Sequence, residues 1–593
     1  MPGAMPGVRV YGCNLVVGLD FGTTYTGFTL AHVSSQTVEG YFEWPKQPKP
    51  YCKTLSAMTY ELIEGRWTAT EYGWPALRRR ERSRGLNPSE MFVHQFKLLL
   101  DGARGEDQPP REGDGFALPP GLTVVDVIAD YLSLMRGRIE AQIAAKYGGV
   151  GLTLADVQWC LTVPAMWTDC AKGQMRQAVL KAGLIPDLHS DRLLLVAEPE
   201  AAAVYCRDKG GQYEMQEGET FMVVDAGGGT VDLTVHTLQD GLLAEVARGH
   251  GDTCGAAFVN DAFMQHVRHQ LRDEDDYVDR TLAKHPSDAA SLHKEWELKK
   301  YQVSADGEDA VSIALPTHIV REMPSEVMER LEDINEDADN HEDLFLSPEE
   351  QRSLFDPSLD GVLRLIEEQL DRVEGAQVDL MLLVGGFSGS PYLCSRVREA
   401  FGNRVSRIVS PPNPGSAVVH GATLYGLNPL VVAARRARYS YGIRQTVAYD
   451  DKNEAHVARR DCTRPCPNSL CDVFPNRFAS FVRRGDSLPE DECVTKRYKP
   501  RSATQREVVL QLYYAESDDP FFVPMEGERG MDDQPVRPLG EPIAISLPHP
   551  STTTADRTVE VSMYFGTSEI RVNIVPCCDT RKRVQRSIEF NLD

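Results

Sequence analysis

Phe221-Met222-Val223-Val224-Asp225-Ala226-Gly227-Gly228-Gly229-Thr230-Val231-Asp232 is an apolar run that ends on an acid, passes three glycines and a threonine, and opens a second apolar run. The first run has the length of a buried strand. Three consecutive glycines inside a buried strand-turn are a poor structural choice unless something approaches the backbone closely. Glycine amides and a threonine hydroxyl in such a turn can donate to phosphate oxygens.

The same grammar stands near the start of the chain, in Leu15-Val16-Val17-Gly18-Leu19-Asp20-Phe21-Gly22-Thr23-Thr24-Tyr25-Thr26, followed by a second strand over residues 27–31. Taken alone, an Asp-x-Gly turn is more often a tight hairpin. It is not the G-x₄-G-K-[ST] loop, because no lysine follows and no helix opens. Its repetition suggests two similar lobes, each presenting a phosphate loop to one cleft. Asp20 and Asp225, one at each strand end, suit a Mg²⁺–nucleotide, since magnesium keeps several waters and is held by one or two acids plus phosphate.

A third segment is Asp379-Leu380-Met381-Leu382-Leu383-Val384-Gly385-Gly386-Phe387-Ser388-Gly389-Ser390-Pro391. It reads as a buried strand that turns on paired glycines into a helix near Pro391, with Ser390 as cap. Such a turn can seat an adenosine or its phosphate, or join strand to helix with no ligand at all.

Composition sets the bounds. The chain has 593 residues, 63 Lys+Arg against 87 Asp+Glu, and a formal charge of −24. That length holds about three to five folding units at roughly 100–200 residues each. A hydrophobic fraction of 42% with 25% charged residues is globular composition. The acidic balance argues against coating nucleic acid or an anionic membrane, which needs clustered Lys and Arg. No window reaches the ~18 unbroken apolar residues of a membrane helix. The first ten residues lack the charged region, apolar core and cleavage site of a secretory signal. Thirteen scattered cysteines, an odd number, speak against a disulfide framework. Cys462-x₃-Cys466 fits a zinc pair loosely, but Cys471, Cys493, Cys577 and Cys578 supply no clean second pair, so reduced thiols are expected. The expected home is the cytosol, with the nucleus left open.

Up to about residue 425, strand-like runs such as Leu193–Ala197 and Leu380–Val384 alternate with helical patterns, the signature of α/β layering. Residues 123–147 read as a long amphipathic helix, and the charge-rich residues 329–343 as a solvated insertion. After Asn428-Pro429 the pattern changes to period-two alternation. Val559, Val561, Met563 and Phe565, then Ile570, Val572 and Ile574, flank Gly566-Thr567-Ser568 as a hairpin. Residues 507–514 form another strand candidate, and residues 453–475 look like an irregular loop. A boundary is expected near residue 430, with a smaller β domain after it.

The three glycine segments, in this order, resemble the actin-like ATPase superfamily and, within it, the 70-kDa heat-shock chaperone family. Leu161-Thr162-Val163-Pro164-Ala165 with Met175-Arg176-Gln177-Ala178 resembles that family's proline-switch strand and following helix. Ala197-Glu198-Pro199-Glu200-Ala201-Ala202-Ala203 resembles its "EPTAAA" segment. The likeness covers residues 14 to about 428 and is closest in flavour to the atypical twelve-A/B branch and related fungal-type proteins. It implies an α/β fold of two duplicated ribonuclease H-like lobes followed by a small β-sandwich-like domain. The implied division is an N-terminal extension (1–13), a nucleotide-binding ATPase domain (14–428), a linker (429–440) and a β-rich substrate- or partner-binding domain without a helical lid (441–593).

Carried over residue by residue, the resemblance implies that Asp20, Gly22, Thr23, Thr24 and Tyr25 meet the Mg²⁺-bound water and the phosphates. Lys97 aligns with the family's catalytic lysine, whose ammonium stabilises charge on the transferring γ-phosphoryl group; a lysine on an amphipathic helix is otherwise a solvated face. Glu198 and Asp225 would orient the attacking water and the magnesium shell. Thr230 would bond the γ-phosphate from the loop Gly227, Gly228, Gly229, and Asp232 would support that loop. Gly255 would approach sugar and phosphates, Glu297, Lys300 and Ser304 would hold the adenosine, and Gly385 and Gly386 would seat it.

There are departures. Gly389 and Tyr301 stand where the family has arginines, Gly415 where it has an acid, and the linker Leu430-Val431-Val432-Ala433-Ala434-Arg435-Arg436 is basic rather than acidic. Phe481-Val482-Arg483-Arg484-Gly485-Asp486-Ser487-Leu488-Pro489 resembles a strand and turn of the substrate-binding domain only loosely. The expected function is an ATP-binding, slowly hydrolysing, chaperone-like protein that takes a polypeptide client or partner through its C-terminal domain, with co-chaperones implied. A nucleotide-dependent adaptor with little turnover is the alternative, and an actin-fold small-molecule kinase a more distant one, since no general base beside a polyol pocket is evident.

Overall fold

The computed structural model of the chain describes residues 12–82, 87–100, 117–271, 276–335, 341–373, 375, 377–465, 471–489, 493–499, 505–523, 536–547, 558–565, 570–576 and 584–587. Two compact units divide it: Met1–Leu243 with Gly249–Val431, and Ala244–Arg248 with Val432–Asp593.

The first unit is a mixed α/β structure. Its first sheet runs in the order Glu39–Gly40, Tyr25–His32, Leu15–Phe21, Val157–Val163, Leu193–Ala197, with Lys53–Leu55 also paired to Tyr25–His32. Leu15–Phe21 pairs antiparallel with Tyr25–His32 and parallel with Val157–Val163, and the latter runs parallel to Leu193–Ala197. A second sheet repeats this pairing. Thr220–Ala226 is antiparallel to Val231–Gln239 and parallel to Leu380–Val384, which is parallel to Arg407–Val409. The central strands of both sheets are buried along their whole length, which is why they read as continuous apolar runs rather than alternating ones.

Helices cover these sheets. Val124–Tyr147 starts on a capping box, in which the Thr123 side chain accepts from the Asp126 amide and Asp126 accepts from the Thr123 amide. It buries Val127, Tyr131, Leu132, Met135, Ile139 and Ile143 at helical spacing. Helix Ala417–Leu427 crosses helix Glu198–Asp208 at a point where a Cβ on Gly421 would stand 1.7 Å from the Ala201 carbonyl oxygen. Glycine is what permits that approach. The same helix is tied to the first sheet, because the Gly18 amide donates to Thr423 Oγ1 at 2.9 Å. Helix Pro391–Phe401 begins where the sequence indicates, with Ser390 accepting from the Leu393 amide.

The second unit holds an antiparallel five-stranded sheet, ordered Arg464–Pro465, Asp472–Val482, Ser440–Ala448, Glu507–Ala515, Val536–Ser546, and a four-stranded one, ordered Cys493–Tyr498, Val559–Tyr564, Arg571–Pro576, Val584–Ser587. Alternating residues of both sheets, among them Ile443, Leu510, Leu512, Ile545, Val559, Val561, Met563, Val572 and Ile574, meet in one apolar core. Val559–Tyr564 and Arg571–Pro576 do pair antiparallel; the turn Gly566-Thr567-Ser568 lies outside the described residues.

Two local expectations change. Residues 329–334 belong to helix Ser325–Ile334, which buries Val327 and Leu331, and strand Asp343–Leu346 starts where the charged run ends; residues 336–340 lie outside the description. Residues 453–475 are not an irregular loop but contain helix Glu454–Val457, the turn Arg460–Cys462, strand Arg464–Pro465 and the start of Asp472–Val482. The stretch read as a linker carries the turn Pro429–Val431 and strand Val432–Arg436. Every described cysteine is a free thiol, and no metal-holding group of three or more His, Cys, Asp or Glu occurs among the described residues; Cys466, Cys577 and Cys578 lie outside them. Among the described residues no helix is long and apolar enough to cross a membrane.

Candidate functional site

Two strand ends, a hairpin partner and a helix start bring four carboxylates into the interior of the first unit. Asp20 ends one central strand, Asp225 the other; Asp232 lies opposite Asp225 in the second hairpin, and Glu198 opens its helix directly after strand Leu193–Ala197. All four are buried. Asp20 is held on both oxygens: Oδ2 pairs with Lys53 Nζ at 2.5 Å, and Oδ1 accepts from Thr162 Oγ1 at 3.0 Å. Glu198 forms an ion pair with Lys97. Asp232 Oδ1 accepts from the Met166 amide at 3.1 Å.

Lys97 is not on an amphipathic helix. It sits in the single turn Phe96–Leu99, entered through Gln95 in the left-handed region, and is only 4% exposed. Its Nζ stands 5.4 Å from the ring centroid of Trp167 and 5.8 Å from that of Phe21. The aromatic walls exclude water from the ammonium and direct it to Glu198.

Crowded, buried acids resist ionisation. Burial pushes Glu198 up to about 7, with Lys97 opposing and Asp20 and Asp232 adding to the rise. Burial, then the charges of Glu198, Asp20 and Asp232, hold Asp225 well above the usual carboxylate range. Burial also raises Asp232, against hydrogen bonds from the Thr230 side chain and the Met166 amide. For Lys53 burial works to lower the pKa, but Asp20 outweighs it and the ammonium is held more firmly than usual. Four carboxylates thus share two lysines, and an added cation would favour their ionised forms. The hard carboxylate oxygens of Asp20 and Asp225, one at each strand end, are the donor type that fits a magnesium ion keeping part of its water.

The two glycine turns face each other beside these acids. A Cβ on Gly228 would come 2.1 Å from Thr24 Oγ1, and one on Gly229 would come 2.6 Å from Thr23 Oγ1. Bare backbone is therefore required where the turns meet. Within them the Gly227 amide donates to the Thr230 carbonyl at 2.9 Å, and Ser56 Oγ donates to the Gly22 carbonyl at 2.6 Å. Gly255 supports the second turn: a Cβ there would stand 2.6 Å from the Gly228 carbonyl oxygen. The Gly255, Ala256 and Ala257 amides donate to the carbonyls of Gly229, Gly227 and Gly228.

The third glycine turn closes on the same acids. Gly385 has φ +85°, and a Cβ on it would lie 2.4 Å from Asp225 Oδ1. Gly415, next to this turn, makes room for Tyr51, whose hydroxyl would stand 2.1 Å from a Cβ at that position. The Tyr51 ring meets Tyr25 edge-on at 6.0 Å. Tyr301 packs beside Gly389, at 3.7 Å from a Cβ built there, so two of the departures from the family pattern are neighbours. Glu297 and Lys300 are joined at 2.5 Å, and Asn260 bridges them, donating to Glu297 at 2.7 Å and accepting from Lys300 at 3.1 Å. Burial works to raise the Glu297 carboxyl, but the Lys300 ammonium outweighs it and the pKa stays low.

Asp20, Lys97, Glu198, Asp225, Asp232, Thr23, Thr24, Gly227–Gly229 and Gly385 are brought together. Ser304 follows the helical turn Lys300–Gln302, and its contacts are with Gly307 rather than with the acids. Lys53, Tyr51 and Asn260 belong to the site although nothing local in the sequence marks them, and Thr162, in the segment that resembles the proline-switch strand, joins it as a partner of Asp20. Lys53 is placed by strand register, opposite Gly27.

The family model described as Hsp70 protein matches residues 122–428, just over half of the chain. The chain is 26% identical to heat shock 70 kDa protein 12A of Homo sapiens over 646 residues, covering 97% of this chain and 91% of that protein. It is 27% identical to heat shock 70 kDa protein 12B of Homo sapiens over the same shares. Chaperone protein DnaK of Anaplasma marginale is 27% identical over 54% of this chain and 44% of its own length. The order of the strands, the acids at their ends and the matched span lead to one conclusion: the chain belongs to the Hsp70 protein family.

Proposed function

We propose that the first unit binds ATP or ADP with magnesium between its two glycine turns and hydrolyses ATP slowly, in a chaperone-like protein. The observation that carries this reading is the buried cluster of Asp20, Glu198, Asp225 and Asp232, with Lys53 and Lys97, beside turns where only glycine fits. Family membership points to a nucleotide-binding ATPase, and the alike pairing of the two sheets supports duplicated ribonuclease H-like lobes. The proposed division is nucleotide domain 14–428, connection 429–440 and a β-sandwich-like domain 441–593 that takes a polypeptide client or protein partner, with co-chaperones; the proposed compartment is the cytosol.

Magnesium, held through water by Asp20 and Asp225, would supply neutralisation of the β- and γ-phosphate charge. The residues supply the rest. Amides of Gly22–Thr24 and Gly228–Thr230 donate to phosphate oxygens, and Thr23, Thr24 and Thr230 add hydroxyl donors. Lys97 places a desolvated ammonium where charge develops on the γ-phosphoryl group. Glu198, with a pKa near neutrality, orients the attacking water and accepts its proton. Glu297, Lys300 and Asn260 form the polar wall toward the sugar, and Gly385 and Gly386 let the nucleoside lie against backbone.

Equilibrium binding of Mg·ADP and single-turnover hydrolysis of Mg·ATP test this on the full chain, on Lys97→Ala and on Glu198→Ala. Both variants are expected to bind within about threefold of wild type and to hydrolyse at least about a hundredfold more slowly. Equal hydrolysis by all three would remove the catalytic roles. Tight binding with no turnover in wild type would favour a nucleotide-dependent adaptor.

A further inference from the structure

Lys53 has no part in the mechanism above, yet its side chain is 11% exposed and its ammonium lies 2.5 Å from Asp20 Oδ2. We propose that Lys53 is a second phosphate-binding cation, one that shares Asp20 with the divalent ion and keeps nucleotide bound when that ion is withdrawn. The inference rests on the nucleotide reading.

Three observations carry it. First, the position is built. Lys53 begins strand Lys53–Leu55, in register with Gly27, and a Cβ on Gly27 would come 2.7 Å from Lys53 Cγ. The missing side chain at 27 is what lets the lysine stem lie flat against the hairpin. Second, the strand is fastened to the glycine turn. Ser56, one residue beyond it, donates through its amide to the Thr24 carbonyl at 2.8 Å and through Oγ to the Gly22 carbonyl at 2.6 Å. Lys53 therefore keeps a fixed place relative to Gly22, Thr23 and Thr24.

Third, the ammonium is under-used. It has three N–H bonds, and among the described residues Asp20 is the one acceptor Nζ meets. With its side chain only 11% exposed, the ammonium has little water to take up the other two N–H bonds. Asp20 meanwhile has a second donor in Thr162, so it stays satisfied while the ammonium turns part of its donors toward an anion. A lysine acts on phosphate as a point charge and needs no bidentate geometry. Standing at Asp20, it occupies the side of the site where the hydrated ion would sit, and supplies positive charge there in its absence.

The test is titration of ADP into the full chain, once with magnesium and once with EDTA, for wild type, Lys53→Met and Lys53→Arg. Wild type is expected to bind in EDTA within about tenfold of its magnesium affinity. Lys53→Met is expected to lose about threefold or less with magnesium and about tenfold or more in EDTA, the size of one charged hydrogen bond. Lys53→Arg should retain binding in EDTA. A Lys53→Met loss that is equal in both media, or absent in both, overturns the proposal, as does a wild type that binds only with magnesium. A wild type that binds in neither medium overturns the nucleotide reading and this proposal with it. Should Lys53→Met fail to fold by circular dichroism, Asp20→Asn probes the same pair from the other side. Freeing the ammonium is then expected to tighten binding in EDTA, and weaker or unchanged binding overturns the idea.

Discussion

Replacing Lys97 with Met should make the stability of this protein fall more steeply with pH above about 7 than that of wild type. In wild type Glu198 is pushed up to about 7 with the Lys97 ammonium in contact. Unfolded glutamate titrates near about 4.3. Between those values the folded chain holds one proton more than the unfolded chain at this site, so stability falls as pH rises. Above about 7 the carboxyl is ionised in both states and the loss ends. Lys97→Met removes the cation that opposes burial, so Glu198 keeps its proton to higher pH. The fall then continues at about 1.4 kcal/mol per pH unit. By pH 9 the gap between wild type and variant should have widened by roughly 3 kcal/mol, approaching the ~3–5 kcal/mol expected for breaking a buried pair. At pH 6, where Glu198 is protonated in both proteins, the gap should be small.

Urea unfolding followed by tryptophan fluorescence at pH 6, 7, 8 and 9 measures this. Trp167, 5.4 Å from the Lys97 ammonium, reports locally. Lys97→Met/Glu198→Gln should show no pH-dependent gap, because the titrating group is gone. A gap of equal size at pH 6 and pH 9, or one that survives in the double variant, would refute the reasoning.

Gly229→Ala must displace Thr23 Oγ1 at 2.6 Å and Leu98 Cδ2 at 2.9 Å; about 1–3 kcal/mol of stability should be lost, and the melting shift on adding Mg·ADP should shrink. Gly415→Asp places a Cβ 2.1 Å from the Tyr51 hydroxyl, so it should lower the melting temperature, and Gly415→Asp/Tyr51→Ala should recover it. Gly421→Ala meets a backbone carbonyl at 1.7 Å that cannot swing away as a side chain can. Its thermal melt should show a loss at or beyond the top of the roughly 1–3 kcal/mol range for overpacking.

The parts of the site that were legible in sequence are those whose chemistry is contiguous. Val223-Val224-Asp225 followed by Gly227-Gly228-Gly229 places strand, acid and turn within a few residues, and the structure keeps them together. The site roles of Lys53, Thr162 and Tyr51 were hidden because strand register and loop path bring them in. Lys53 comes from Gly27↔Lys53 pairing, Thr162 from the parallel neighbour of the Asp20 strand, and Tyr51 from the space left by Gly415. Residues 453–475 lacked a period because short elements there are held by ring contacts, such as His456 on Phe474 at 4.9 Å and Arg459 over Phe521 at 4.4 Å. In residues 329–343 the charge density hid a helix whose buried face needs only Val327 and Leu331.

The central claim, that nucleotide phosphates sit between the two glycine turns beside Asp20 and Asp225, is tested most directly by a crystal structure of the full chain grown with Mg·ADP. The account expects phosphate density bounded by Gly22–Thr24 on one side and Gly227–Thr230 on the other, with a hydrated ion within water reach of Asp20 and Asp225. Nucleotide density elsewhere on the chain, with these turns closed on each other as Gly228 and Thr24 are here, would contradict it.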